Sequence, residues 1–135
     1  MPLVTGLTFL LTATSFPGEP VSLGNPHIDL RVGYRLVGRE LEPVEEDNEF
    51  LDGESLVLWT AIAGVPAGFV EHVWLRDGEE VARQYLPVGS GRRWRTWSRH
   101  EVQPGMYQVL VIGPDGSVLG RKSFNVTAFD ECEGC

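Results

Sequence analysis

From Arg31 onward, apolar and polar residues alternate over short runs that end at glycine, proline or aspartate. A two-residue period bounded by turn formers predicts β-strands, and no window sustains the 3.6-residue period of a helix. Ser55 to Ala63 (SLVLWTAIA) is apolar on both faces, as a central sandwich strand would be, and Gly64, Pro66 and Gly68 close it. Phe69 to Arg76 forms the next strand and turns at Asp77-Gly78, a strong hairpin signal. Glu80 to Val88 returns, and Gly89-Ser90-Gly91 opens a strand from Arg92 to Ser98. Pro104-Gly105 leads into Met106 to Ile112, and Pro114-Asp115-Gly116 turns the chain into Val118 to Val126. Arg31 to Arg39 alternates loosely before an acidic loop.

Six or seven strands, spaced about ten to twelve residues apart, predict an all-β fold. The expected architecture is an antiparallel immunoglobulin/fibronectin-like β-sandwich of about seven strands, with a small closed barrel as the alternative. The sandwich is expected over residues 31–127, preceded by an arm (1–30) and followed by a short tail (128–135). Leu3 to Phe16 is apolar and Thr-rich, and Val4, Thr8, Phe9, Leu10 and Leu11 favour a strand. It also looks like the core of a weak signal peptide, but no base precedes it, the first being Arg31. A strand-forming arm is the reading adopted.

Charge narrows the partners. The chain of 135 residues carries 19 acids against 11 bases, for a net charge of -8. Glu40, Glu42, Glu45, Glu46, Asp47, Glu49, Asp52 and Glu54 crowd one loop. A chain this acidic is repelled by phosphate backbones, so no nucleic-acid partner is expected. No run approaches the ~20 apolar residues of a spanning helix, so no direct membrane span is expected. The acidic loop lacks the spacing of a D-x-D-x-D-G calcium loop. Cys132 and Cys135 form a C-x-x-C, which supplies two ligands where a structural zinc site needs four. No cofactor and no metal are expected, this cysteine pair being the one weak candidate, whether free, disulfide-bonded or metal-bound.

The residues with most chemistry lie between His72 and Arg99. Strand phase puts Val70, His72 and Trp74 on one face. It puts Trp94, Thr96 and Ser98 on one side of the later strand and Arg93, Arg95, Trp97 and Arg99 on the other. Trp94 is therefore expected in the core. Arg93, Arg95, Trp97 and Arg99 form a candidate ligand or partner face, since arginine on indole is favourable by roughly 0.5 to 2 kcal/mol. That face suits a sugar, an anionic polymer or a partner protein; equally it suits a structural stack paired with the acidic loop. His72 invites general-base chemistry, but Ser98 is the only hydroxyl with a claim as nucleophile. The chain has no G-x-S-x-G, no H-E-x-x-H and no phosphate-cradling glycine loop. His72, Trp74 and Trp94 are read as structural, with His72 buried beside Trp74 and hydrogen-bonded, and no catalytic residue is assigned.

An ordered set of short motifs carries a family resemblance. It begins with Arg39-Glu40 and Pro43-Val44 ahead of Phe50, then His72-Val73-Trp74 before Asp77-Gly78. Leu86-Pro87-Val88, Trp94-Arg95-Thr96-Trp97-Ser98, Gly105-x-Tyr107-x-Val109, Gly116-x-x-Leu119 and Phe124-x-Val126 follow. From about residue 39 to 126 the chain resembles a bacterial family known only as domain of unknown function 2914. The resemblance implies a small β-sandwich often attached to membrane or envelope proteins, with no assigned enzymatic activity. The function expected is a non-catalytic module for protein interaction or assembly, envelope-associated or extracellular. Its partner is another protein, or a second copy through the N-terminal arm. The alternative is a module binding a carbohydrate or anionic ligand on the Arg/Trp face.

Overall fold

The computed structural model describes residues 26–128. The apolar stretch Leu3 to Phe16 and the pair Cys132 and Cys135 lie outside the described residues. Ten strands are present among those described: β1 (His27–Gly33), β2 (Leu36–Val37), β3 (Glu40–Leu41), β4 (Glu49–Leu51), β5 (Ser55–Ala63), β6 (Gly68–Arg76), β7 (Glu79–Val88), β8 (Trp94–Glu101), β9 (Gly105–Ile112) and β10 (Val118–Thr127). They form a three-stranded sheet, β1-β5-β8, a five-stranded sheet, β4-β10-β9-β6-β7, and a small β2-β3 ribbon. All pairings are antiparallel except that of β4 with β10. Two separate sheets with free edges make a sandwich and exclude the closed barrel. Six of the long strands, β5 to β10, are those anticipated. The run Arg31 to Arg39, read as one strand, instead holds the end of β1, a bend and the two-residue β2, and β2, β3 and β4 are two or three residues each. β1 starts at His27, inside the segment assigned to the arm, so the boundary expected after residue 30 cuts through a strand.

The chain crosses between the two large sheets after β4, β5, β7 and β8, and each long strand therefore offers one face to a common interior. Leu56, Leu58 and Ile62 of β5 meet Val70 and Trp74 of β6, Tyr107, Val109 and Val111 of β9, and Phe124 and Val126 of β10. The short β4 is held by more than its three pairs with β10. Phe50 stands edge-on to both Phe124 and Tyr34, with centroids 5.3 Å apart in each pair. The hairpin between β6 and β7 turns on Asp77 (φ 51°) and Gly78 (φ 88°). Two consecutive positive φ values give the type I′ turn that the right-handed strand twist favours. Asp77 tolerates its position because its Oδ1 accepts from the Met106 amide at 2.9 Å.

Candidate functional site

The strand most altered by the fold is β5, because both of its faces are covered. Its inward residues join the main core, while Val57, Trp59 and Ala61 point away and form a second buried cluster with Leu41 of β3. Leu36 and Trp97 pack against that cluster. The β2-β3 ribbon thus roofs the outer face of the three-stranded sheet. Leu41 fits there because Gly33 opposes it; a Cβ at Gly33 would stand 3.0 Å from Leu41 Cδ2.

Register builds the outer face row by row. Asp29, Ala61 and Arg95 form one row, and Arg31, Trp59 and Trp97 the next. Gly33, Val57 and Arg99 complete it. The guanidinium carbons of Arg31 and Arg93 each lie 5.7 Å from the centre of the Trp59 ring. Both cations are held by one carboxylate: Asp29 accepts from Arg31 at 3.1 Å and from Arg93 at 3.4 Å. Trp59 donates its Nε1–H to the Arg39 carbonyl at 2.9 Å, so the indole is only 1% exposed. Arg95 pairs with Glu40, the first acid of the acidic loop.

The four residues predicted as a face therefore separate. Arg93 and Arg95 are tied down by carboxylates, Trp97 is half-buried against the second cluster, and Arg99 is exposed. The ring on which arginines stack is Trp59, which the alternation did not single out, and Trp97 packs beside it. Trp94 is a correction. Phase gave its face, but it starts β8 beyond the last core layer and is 39% exposed. Its six-membered ring lies against the backbone of Gly89, where any Cβ would come within 2.7 Å.

His72 and Ser98 do meet, between the sheets. His72 Nδ1 is 2.8 Å from Ser98 Oγ and His72 Nε2 is 3.3 Å from Thr60 Oγ1. Trp74 donates its Nε1–H to Ser98 Oγ at 3.3 Å, and Thr60 donates to the Thr96 carbonyl at 3.4 Å. An indole N–H only donates and a carbonyl only accepts, so both ends of this chain are fixed. One arrangement uses every group once: Trp74 to Ser98, Ser98 to His72 Nδ1, His72 Nε2–H to Thr60, Thr60 to Thr96. It makes His72 neutral with its proton on Nε2. Burial agrees, pushing the imidazole pKa down from 6.5 to about 4. His72 is wholly buried and Ser98 is 3% exposed, so neither presents its side chain to solvent. Hydrogen bonds from His72 of β6 to Ser98 of β8 and Thr60 of β5 tie the two sheets together. His72 and Trp74 are both buried and hydrogen-bonded in this network.

Among the described residues no group of His, Cys, Asp or Glu could hold a metal, and no helix is long and apolar enough to cross a membrane. The concave surfaces are shallow. One of about 380 Å³ lies under the ribbon between Asp29, Leu41 and Asp47. Another, of about 250 Å³, is bordered by Arg39, Arg92, Arg93, Trp94 and Arg95.

No curated protein matches this chain. Solved structures align with this chain at low similarity. A β-glucosidase from Listeria innocua in complex with gluconolactone aligns at 15% identity and a TM-score of 0.46. That alignment covers 76% of this chain and 16% of the glucosidase, so this chain spans about a sixth of that enzyme's length. The CARDB domain of a Pyrococcus furiosus protein, in complex with di-metal ions, aligns at 10% identity and a TM-score of 0.45. There, 76% of this chain and 93% of that domain are covered. The sequence match is more specific: it starts at β6 and leaves the motifs from Arg39 to Phe50 outside it. Residues 69–126, which run from β6 to β10, match the family described as protein of unknown function (DUF2914), the family that the sequence resembles.

Proposed function

We propose that this chain is a non-catalytic β-sandwich module that works by protein–protein association, with the free edge of β7 accepting a strand from a neighbouring copy. The observation that carries the reading is the edge itself. β7 is ten residues long, ends the five-stranded sheet, and pairs only with β6. An unpaired edge of that length is a template for another strand. Beside it stand Tyr85, 61% exposed, and Phe69, 59% exposed, which would give an added strand apolar contact.

The occupant is the segment Leu3 to Phe16, which is uncharged and rich in strand-forming residues. It precedes β1, and β1 lies at the opposite lateral edge of the sandwich, over β10 rather than β7. Donation to a second copy therefore fits better than folding back. The buried His72–Ser98 pair supports the non-catalytic part, because the one constellation suggestive of nucleophilic chemistry is closed to ligands.

Light scattering on the full chain, and on a chain lacking residues 1–20, tests the proposal. The full chain is expected to associate and the truncated one to be monomeric. Tyr85→Lys should weaken association without lowering the melting temperature. Equal masses for the full and truncated chains would sink the idea.

A further inference from the structure

Four guanidinium groups border a single depression in a protein whose net charge is -8. Arg39 comes from the turn between β2 and β3, Arg92 and Arg93 from the loop before β8, and Arg95 from β8 itself. Trp94 supplies the wall. Clustered like charges repel one another, so such a gathering at the surface is unfavourable unless anions offset it. Two of the four are offset: Arg93 by Asp29 and Arg95 by Glu40. Arg39 and Arg92 are exposed and make no ion pair among the described residues.

From this arrangement we infer that the depression between Arg39, Arg92 and Trp94 is a binding site for a single oxyanion group, a carboxylate or a phosphate. Arginine presents five N–H donors in a planar fork that matches both groups, and the two unpaired arginines converge from different segments. The volume of about 250 Å³ accommodates one such head group and a small attached ring rather than a long polymer. Trp94 offers that ring a partly exposed indole. The indole is held in place because Gly89 leaves room for it, with a Cβ there only 2.7 Å from the ring. Long anionic polymers are disfavoured, since the acidic loop begins at Glu40, next to Arg39. No residue of the site belongs to β7, and anion titration reads the site separately from the association proposed above.

Tryptophan fluorescence of the full chain provides the test, because Trp94 is the most exposed described tryptophan, with Trp59 and Trp74 buried. Separate titrations use inorganic phosphate, glucuronate, a short thymidine oligonucleotide, and sodium chloride at matched ionic strength. Phosphate and glucuronate should each produce a saturable change that chloride does not. A response to phosphate alone would assign a phosphoryl group, and one to glucuronate alone a sugar acid. In the double variant Arg39→Gln/Arg92→Gln, the apparent affinity should fall about tenfold or more. Neither arginine has a carboxylate partner among the described residues, so that variant should keep the parent's melting temperature. Trp94→Phe should lose the optical signal while retaining the arginine side-chain NMR shifts on adding anion. The inference is overturned by a change that never saturates or equals that of chloride, by equal affinity in the double variant, or by tighter binding of the oligonucleotide than of phosphate.

Discussion

Stability should depend on pH through a single buried imidazole. His72 has a folded-state pKa of about 4 against 6.5 for a solvated histidine, and burial is the cause. The folded value is the depressed one, so on acidification the unfolded chain binds the proton first. The stabilisation is complete above about pH 6.5 and is lost as pH falls toward 4. At 1.36 kcal/mol per unit, the whole window is worth about 3 kcal/mol, and the step from pH 7.5 to 5 about 2 kcal/mol. His100 is also lowered by burial, partly opposed by Glu101, and adds in the same direction. Glu42, Glu80 and Asp115 are lowered as well, by hydrogen bonds from Arg35, Arg83 and Ser117 respectively. Their loss comes at still lower pH, so measurement above pH 5 separates them from histidine. Urea unfolding at several pH values in the parent, His72→Gln and His100→Asn assigns the slope. His100→Asn should lose about 2 kcal/mol over that step, the parent somewhat more, and His72→Gln much less. Nitrogen-15 NMR should also show a neutral ring protonated at Nε2 down to pH 5. Equal slopes in parent and His72→Gln, or a His72 midpoint above pH 6, would refute the buried tie.

Three further outcomes follow from local packing. The Thr96 hydroxyl is buried without a hydrogen-bond partner, so Thr96→Val should be neutral or stabilise by up to about 1 kcal/mol in urea titration. Gly89→Ala and Gly78→Ala both lower the melting temperature but differ in kind. Gly78 has open space around it and a φ of +88°, so its cost is conformational, about 1 kcal/mol, with no spectral change. At Gly89 the new methyl meets Trp94, so tryptophan emission should shift as well. Asp29→Asn removes the carboxylate shared by Arg31 and Arg93, and the destabilisation, of order 1 kcal/mol, should shrink in high salt.

The long strands were legible because their cause is local. From β5 to β10, apolar alternation and the turns at Asp77-Gly78, Gly89 to Gly91, Pro104-Gly105 and Pro114 to Gly116 lie in adjacent residues. The loose alternation over residues 31–39 misled, and residues 40–51 gave no signal, since strands of two or three residues are too short to show a period. The site was harder for a related reason. Alternation tells which side of a strand Trp94 occupies but not its depth, and depth depends on where the opposing sheet ends. Trp59 was readable as one apolar residue in a doubly apolar strand. That Arg31, Arg93 and the Arg39 carbonyl would enclose it depends on register between segments far apart in the chain.

The roof over β5 has a consequence for how this protein tolerates change. In β10, buried and accessible positions alternate over Phe124, Asn125, Val126 and Thr127, and every second residue is free to vary. From Leu56 to Ile62 in β5 no residue reaches solvent. A saturation-mutagenesis map should therefore show stripes along β10 and an unbroken band across β5. Selection acting on this chain has least freedom there, since no substitution in that run can escape both the interior of the sandwich and the underside of the ribbon.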